Sequence, residues 1–267
     1  MMKGHSNFNV ELVKYTNGYF VKKSTKTPNI RLKNQIQKQI EFKMFIEKNE
    51  AMDLLFEIPS VIEEREKYFI MDFYNGKSIL DIFEKGDITL LDEIIDKLIR
   101  FINWEFENCI YTKDVRFEII EKLSTIKSKD IKVSYLIDKL IKKLPKEIKI
   151  PIGMCHGDLT LSNLIFTNRI VLIDFLDSYI ETPLQDIAKL LQEIMLEWSL
   201  LIDDNKRDNI KIKIAYDYLR KQLFDKLLSY SEHSRLFYII TLFRLFPYIV
   251  DENIYKRVLS KIEKELE

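Results

Sequence analysis

Asp158, Asn163 and Asp174 are the residues of this chain whose types and spacing best suit chemistry. Asp158 stands in His156-Gly157-Asp158-Leu159. Asn163 follows five residues later, just before Leu164-Ile165-Phe166. The apolar run over residues 170–173 ends in Asp174-Phe175. A carboxylate within hydrogen-bond reach of a hydroxyl can take or orient its proton. An amide oxygen and a second carboxylate are hard donors that suit magnesium. Phosphoryl transfer needs this set: an anion at the attacking hydroxyl, and oxygen ligands for the metal on a nucleoside triphosphate. An Asp and an Asn alone in a loop are more often turn residues. The flanking apolar strands make the combination specific.

Positioning these groups takes a series of elements. Residues 8–15 and 19–23 are β-prone runs around Thr16-Asn17-Gly18, and Asn-Gly between such runs marks a hairpin. Pro28-Asn29 opens a helix reaching Lys48, with Ile36, Ile40, Phe42, Phe45 and Ile46 near helical spacing. Residues 54–61 and 68–73 read as strands. After Asn75-Gly76 the pattern turns helical over 79–83, 90–106, 115–124 and 133–144. Pro145 and Pro151 interrupt it, and an apolar strand over 152–155 leads into the His156 loop. Residues 164–166 and 170–173 form a hairpin, and 183–267 reads as helical throughout. This is an α+β order. The change of element type sets a small N-terminal lobe, residues 1–74, against a larger helical C-terminal lobe, residues 75–267.

The His-Gly-Asp-Leu loop, its Asn163 and the downstream Ile173-Asp174-Phe175 resemble the aminoglycoside phosphotransferase and choline kinase family, small-molecule kinases related to protein kinases. The resemblance runs in order as far as Asp186-Ile187-Ala188. There Thr182-Pro183 stands where the family has Asp-Pro. Beyond it only a helical pattern matches. The resemblance implies a two-lobed protein-kinase-like fold that uses ATP with Mg2+. Asp158 would then be the catalytic residue, and Asn163 and Asp174 the metal ligands. It also implies a strand lysine on the phosphates, held by a helix glutamate. Lys22 and Lys23 both end the second strand. Alternation lets only one of them face the nucleotide, and the sequence leaves both open. Glu41, midway along the long helix, is the glutamate expected to pair with it. The stretch from Tyr68 to Leu80 resembles the segment joining the lobes, with the carbonyl of Asp72 and the amide of Tyr74 offered to adenine. His156 is expected to brace the loop rather than to react, and Asp186 to brace it from a helix start. No glycine-rich phosphate loop is present; Gly18 alone occupies the hairpin turn, whose amides over residues 16–19 are left for the phosphates.

Composition narrows the classes. The chain has 267 residues, 46% of them hydrophobic, enough for a continuous core. Lys plus Arg is 42 and Asp plus Glu is 42, so nothing in the bulk charge draws the chain to nucleic acid or an anionic membrane. Cys109 and Cys155 form no C-x-x-C, which suits a reducing cytoplasm and no zinc site. The first residues lack an apolar signal core. Residues 236–250 are apolar but contain Arg244 and are too short to span a bilayer. The expectation is therefore a cytoplasmic ATP-dependent kinase acting on a small molecule: a sugar, amino alcohol, nucleoside or aminoglycoside. The neutral balance favours a neutral sugar-type acceptor. Tyr179, Glu181, Glu193, Trp198, Trp104 and Tyr111 are candidates to face it. A protein kinase is the alternative, opposed by Asp174-Phe175-Leu176 in place of Asp-Phe-Gly and by the lack of Ala-Pro-Glu. An inactive kinase-like binding protein is opposed by the presence of every expected polar group.

Overall fold

The computed structural model describes residues 8–16, 18–128, 130–203, 205, 207 and 209–267. The turn residue Asn17 and the polar start over residues 1–7 lie outside the described residues. In chain order the elements begin β1 (Asn9–Tyr15), β2 (Gly18–Ser24), α1 (Ile30–Glu47), α2 (Glu50–Asp53), β3 (Phe56–Glu57), β4 (Val61–Arg65) and β5 (Tyr68–Asp72). There follow α3 (Ile79–Lys85), α4 (Ile88–Glu107), β6 (Tyr111–Asp114), α5 (Arg116–Ser124), α6 (Ile131–Lys143), β7 (Lys149–Ile152), β8 (Leu164–Phe166) and β9 (Ile170–Leu172). The chain continues with α7 (Pro183–Leu196), α8 (Trp198–Leu201), α9 (Asn209–Ser229), α10 (Ser234–Phe243) and α11 (Glu252–Leu266).

The chain divides into two compact units. The first comprises Met1–Asp81 with Ser162–Asp177, the second Ile82–Leu161 with Ser178–Glu267. This differs from a single cut after Tyr74. The reason is local: the Lys77 N–H and C=O exchange hydrogen bonds of 2.9 Å with Phe166, which ties the segment after β5 to the β8–β9 hairpin. Gly76 permits that approach. A β-carbon there would meet the Ile165 side chain at 2.5 Å and the Phe166 carbonyl at 2.8 Å.

In the first unit, β1, β2, β5 and β4 make an antiparallel sheet in that order. Asn29 caps α1 by accepting from the Arg31 N–H at 2.9 Å, an oxygen filling one of the orphan donors of a helix start. The helix then buries Leu32 and Ile36 with Phe8, Phe69 and Met71 in one apolar cluster. A second sheet has the order β3-β9-β8, with β3 parallel to β9. Residues 54–61 are thus not one strand. Pro59 cannot donate to a ladder; the run before it pairs with β9, while Val61 opens β4 in the other sheet. The glutamates of β4 hid that strand from a reading based on apolar alternation.

In the second unit β6 and β7 pair antiparallel. β7 ends at Ile152 and the approach to His156 is loop, so the expected strand over 152–155 lies three residues earlier. β6 was not anticipated, because its Tyr-Thr-Lys-Asp is exposed throughout. Helix α7 packs with α9 and α10. Thr182 caps it, accepting from the Leu184 N–H at 3.4 Å and donating to the Pro151 carbonyl at 2.7 Å. Threonine thereby ties the start of α7 to β7. Gln185, Asp186, Gln192 and Glu193 on this helix are all buried. Burying so many polar groups is costly unless each is paired, and their partners are described below. No helix among the described residues is long and apolar enough to cross a membrane.

Candidate active site

β1, β2 and α1 decide the lysine. Alternation along β2 puts Lys22 and Lys23 on opposite faces of the sheet. Lys22 is 30% exposed, pairs with Glu11 at 3.2 Å and lies 4.8 Å from the centre of the Tyr68 ring. Lys23 is 5% exposed. Its ammonium sits 5.0 Å from the Phe8 ring centre and donates to Asp174 Oδ1. Of the two candidates, Lys23 is the one placed against Asp174.

Glu41 does not hold this lysine. It faces solvent and accepts from Gln37 Nε2 at 2.6 Å. The residues that α1 buries are Leu32, Gln35, Ile36, Gln39, Phe42 and Ile46, and Glu41 falls outside that phase. The inward polar groups are therefore two amides. Gln39 donates to the Pro59 carbonyl at 2.8 Å. Gln35 keeps both amide atoms buried without a partner among the described residues. The signal was available in the sequence: Gln35, Gln39, Phe42 and Ile46 recur at helical spacing, and a search for a carboxylate passed over it.

Asp174 follows two residues after the end of strand β9. That residue has φ 63°, the left-handed region that non-glycine residues avoid at a cost of roughly 1–2 kcal/mol. The following segment is fixed to α1. Phe175 packs on Phe42 with ring centres 5.1 Å apart, Lys38 Nζ donates to the Leu176 carbonyl at 2.7 Å, and Asn34 donates to Asp177 at 2.7 Å. Asn163 is brought to the same strand end, since its carbonyl accepts from the Ile173 N–H at 3.1 Å. The donor set of Asn163 and Asp174 fits a magnesium ion. The Asp174 carboxylate already draws a cation, the Lys23 ammonium.

At the end of β5, the Asp72 carboxylate accepts from the Ser60 N–H at 3.0 Å. The Tyr74 hydroxyl donates to Glu57 at 2.7 Å. Burial, then Glu57, push its pKa well up. These contacts use side chains and Ser60, and the roles expected for the Asp72 carbonyl and Tyr74 amide are backbone ones.

The loop from His156 to Leu161 belongs to the second unit. Its backbone N–H groups at His156 and Gly157 donate to the two oxygens of buried Asp186, at 2.5 and 2.8 Å. Gly157 has φ 85°, a turn that favours glycine. His156 is fully buried and its Nδ1 accepts from the Asp158 N–H at 3.2 Å, the contact of a brace. Glu193 supports the loop's far end by accepting from the Leu161 N–H at 3.1 Å. It also accepts from the Ser199 N–H and hydroxyl, each at 2.9 Å, and from Tyr216 at 2.6 Å. Full burial pushes its pKa up against these bonds. Glu193 spends its oxygens on these four donors and Trp104 packs in the apolar core, so neither is placed to meet an acceptor. Tyr111 is exposed on β6.

Asp158 itself meets a residue that motif reading did not find. Lys189 on α7 lies 2.9 Å from Asp158 Oδ1, with side chains 12% and 20% exposed, and also donates to Gln192 at 3.3 Å. Its place at i+3 from Asp186 on α7 was a usable signal, because residues three apart share a helix face.

The antiparallel sheet of the first unit and the mostly helical second unit are those of a protein-kinase-like fold. Residues 112–221 match the model of the family described as phosphotransferase enzyme family. The same fold occurs in a thermostable mutant of aminoglycoside phosphotransferase APH(4)-Ia, at TM-score 0.65 and 14% identity, covering 100% of this chain and 92% of that one. It occurs in the amicoumacin kinase hAmiN, solved with AMP-PNP, Ca2+ and Ami, at TM-score 0.59 and 15% identity, covering 100% and 87%. The gentamicin complex of APH(2")-IIa matches at TM-score 0.55 and 17% identity, covering 100% and 89%. No curated protein sequence matches the chain. Family segment and fold together bear out the resemblance carried by the His156 loop, and they support a small-molecule kinase.

Proposed function

We propose that this protein transfers the γ-phosphoryl group of ATP to a hydroxyl of a small molecule. The observation that carries the reading is the ion pair of Lys23 with Asp174. It joins a buried strand lysine to the aspartate that the sequence motif assigns to the metal. ATP as donor also accords with neighbours solved with ATP or AMP-PNP. Lys23 would bind the triphosphate, and Asn163 and Asp174 would hold Mg2+, which supplies charge neutralisation on the phosphates. Asp72 and Tyr74 would offer backbone groups to the adenine. Asp158 would orient the acceptor hydroxyl and take its proton. The hydroxyl oxygen then forms a bond to phosphorus as the bond to the β-phosphate oxygen breaks, and ADP leaves. Catalysis of this kind is mostly positioning and charge stabilisation.

The test is a panel of hydroxylated metabolites screened for stimulated ADP release, run with wild type and Asp158→Asn. One class of acceptor should raise turnover in wild type only. Phosphorylation of generic protein substrates with no response to any small acceptor would overturn the proposal in favour of a protein kinase.

A further inference from the structure

Arg244, at the C-terminal end of α10, is a half-buried cation with no carboxylate partner among the described residues. Its guanidinium lies 5.2 Å from the centre of the Tyr179 ring and donates to Gln185 Oε1 at 3.3 Å. Lys122 approaches the same ring at 5.7 Å. Two cations therefore converge on one tyrosine. Gln185 is 1% exposed; its Nε2 and the Tyr179 hydroxyl are buried and have only a loose contact with each other among the described residues. Buried donors so weakly paired carry a penalty that a ligand oxygen would relieve. Of the nearby carboxylates, Asp186 accepts from the loop amides, and Glu181 accepts from the Ser178 N–H at 3.0 Å and the Cys155 thiol at 3.3 Å.

The cluster adjoins the catalytic loop. Gln185 and Lys189 are four residues apart on α7, hence neighbours on one helix face, with β-carbons about 5–6 Å apart. Gln185 takes Arg244, and Lys189 takes Asp158. The same helix face thus carries an anion-seeking group one turn from the catalytic carboxylate.

We propose that Arg244, with Gln185, Tyr179 and Lys122, binds an anionic group of the acceptor, so that the substrate is a small hydroxylated acid bearing a carboxylate or a phosphate. This rests on the phosphotransferase reading and narrows its acceptor. A guanidinium fork matches either anion through two parallel N–H donors. A polycationic acceptor is disfavoured, because it would meet Arg244, Lys122 and Lys189 together. The sugar-type acceptor expected from the neutral composition is thereby revised to a sugar acid or its like, since local charge rather than the chain total decides.

Two measurements test this. In the first, malonate and inorganic phosphate are titrated separately into wild type, Arg244→Gln and Arg244→Lys, with ATP affinity as the folding control. The preferred anion should bind wild type roughly tenfold to a hundredfold more tightly than Arg244→Gln, as expected for losing a charged hydrogen bond. Arg244→Lys should recover part of the affinity, and ATP affinity should stay unchanged in both. Equal binding of both anions to wild type and Arg244→Gln overturns the proposal. In the second, D-gluconate, D-glucitol and D-glucosamine, together with a sugar phosphate, are compared in the ADP-release assay. Stimulation confined to the acids, with KM for the acid raised in Arg244→Gln and KM for ATP unchanged, supports the proposal. Stimulation by glucitol or glucosamine above the acids overturns it. The kinase reading fails separately, through absent Mg2+-dependent ATP binding or through an Asp158→Asn variant that turns over like wild type.

Discussion

Lys22 and Lys23 are adjacent and chemically identical, yet their replacement should give very different results. Lys23→Ala removes a buried ammonium paired with Asp174 and resting over Phe8. A hydrogen bond to a charged group contributes about 1.5–3 kcal/mol. Lys23 would make such a bond to the triphosphate, so kcat/KM for ATP should fall by about 10- to 100-fold. Lys22→Ala removes an exposed pair with Glu11. Such pairs contribute about 0–1 kcal/mol, so the change should stay below about fivefold. Folding should tolerate both changes, since Asp174 is 36% exposed and water can replace its partner. Thermal melts check this. The assay is coupled ADP release at varied ATP, or direct ATP titration while no acceptor is in hand. Equal and small losses from both variants would refute the assignment of Lys23 to the nucleotide, and with it the role given to its pair with Asp174.

Asp158→Asn should cut kcat by at least ~100-fold, the lower range for a general base, while ATP affinity measured by titration stays near wild type. Asp174→Ala should remove the dependence of nucleotide affinity on Mg2+; a variant keeping the full dependence would displace Asp174 as a ligand. Glu193→Ala strands four donors around one buried carboxylate and should destabilise the fold by about 3 kcal/mol or more, read from urea melts. Because burial holds the Glu193 pKa above its ordinary 4.5, the folded protein keeps this proton longer than the unfolded chain. Its contribution is complete below 4.5 and is lost as pH rises through the folded value. Glu193→Gln should therefore flatten the decline of stability on that side, and an unchanged slope would count against a raised carboxyl.

The groups proposed for catalysis could be picked out because their surroundings are fixed by local sequence. Asp158, Asn163 and Asp174 each follow from a loop or strand end whose neighbours are in the same few residues. What stayed hidden depends on faces and on long-range pairing. Choosing Lys23 over Lys22 needs the position of Phe8 and Asp174, which no count along β2 provides. Glu41 was favoured because it is a carboxylate near mid-helix, although the buried phase of α1 runs through Gln35 and Gln39. β4 was hidden by its glutamates, and the pairing of β3 with β9 cannot be read from either dipeptide. Lys189 and Arg244 are cations in helical segments that carry no motif. Their meaning comes only from the carboxylate and the ring they meet.

The pairing of β3 with β9 sets an order of events during synthesis. Arg169 reaches back to the Asp53 carbonyl across 116 residues, and β3 finds its neighbour only when β9 has left the ribosome. The antiparallel sheet of the first unit can form early, because β1, β2, β4 and β5 are consecutive in the chain. Its second sheet, and with it Asp174, cannot. Closing so long a loop is slow because its entropy is lost before its contacts form. The Lys23–Asp174 pair is therefore completed late, after α4, α5 and α6 have all been made. A chain truncated before Ser162 would keep Lys23 and lose the aspartate it pairs with, so a fragment that short cannot form the pair.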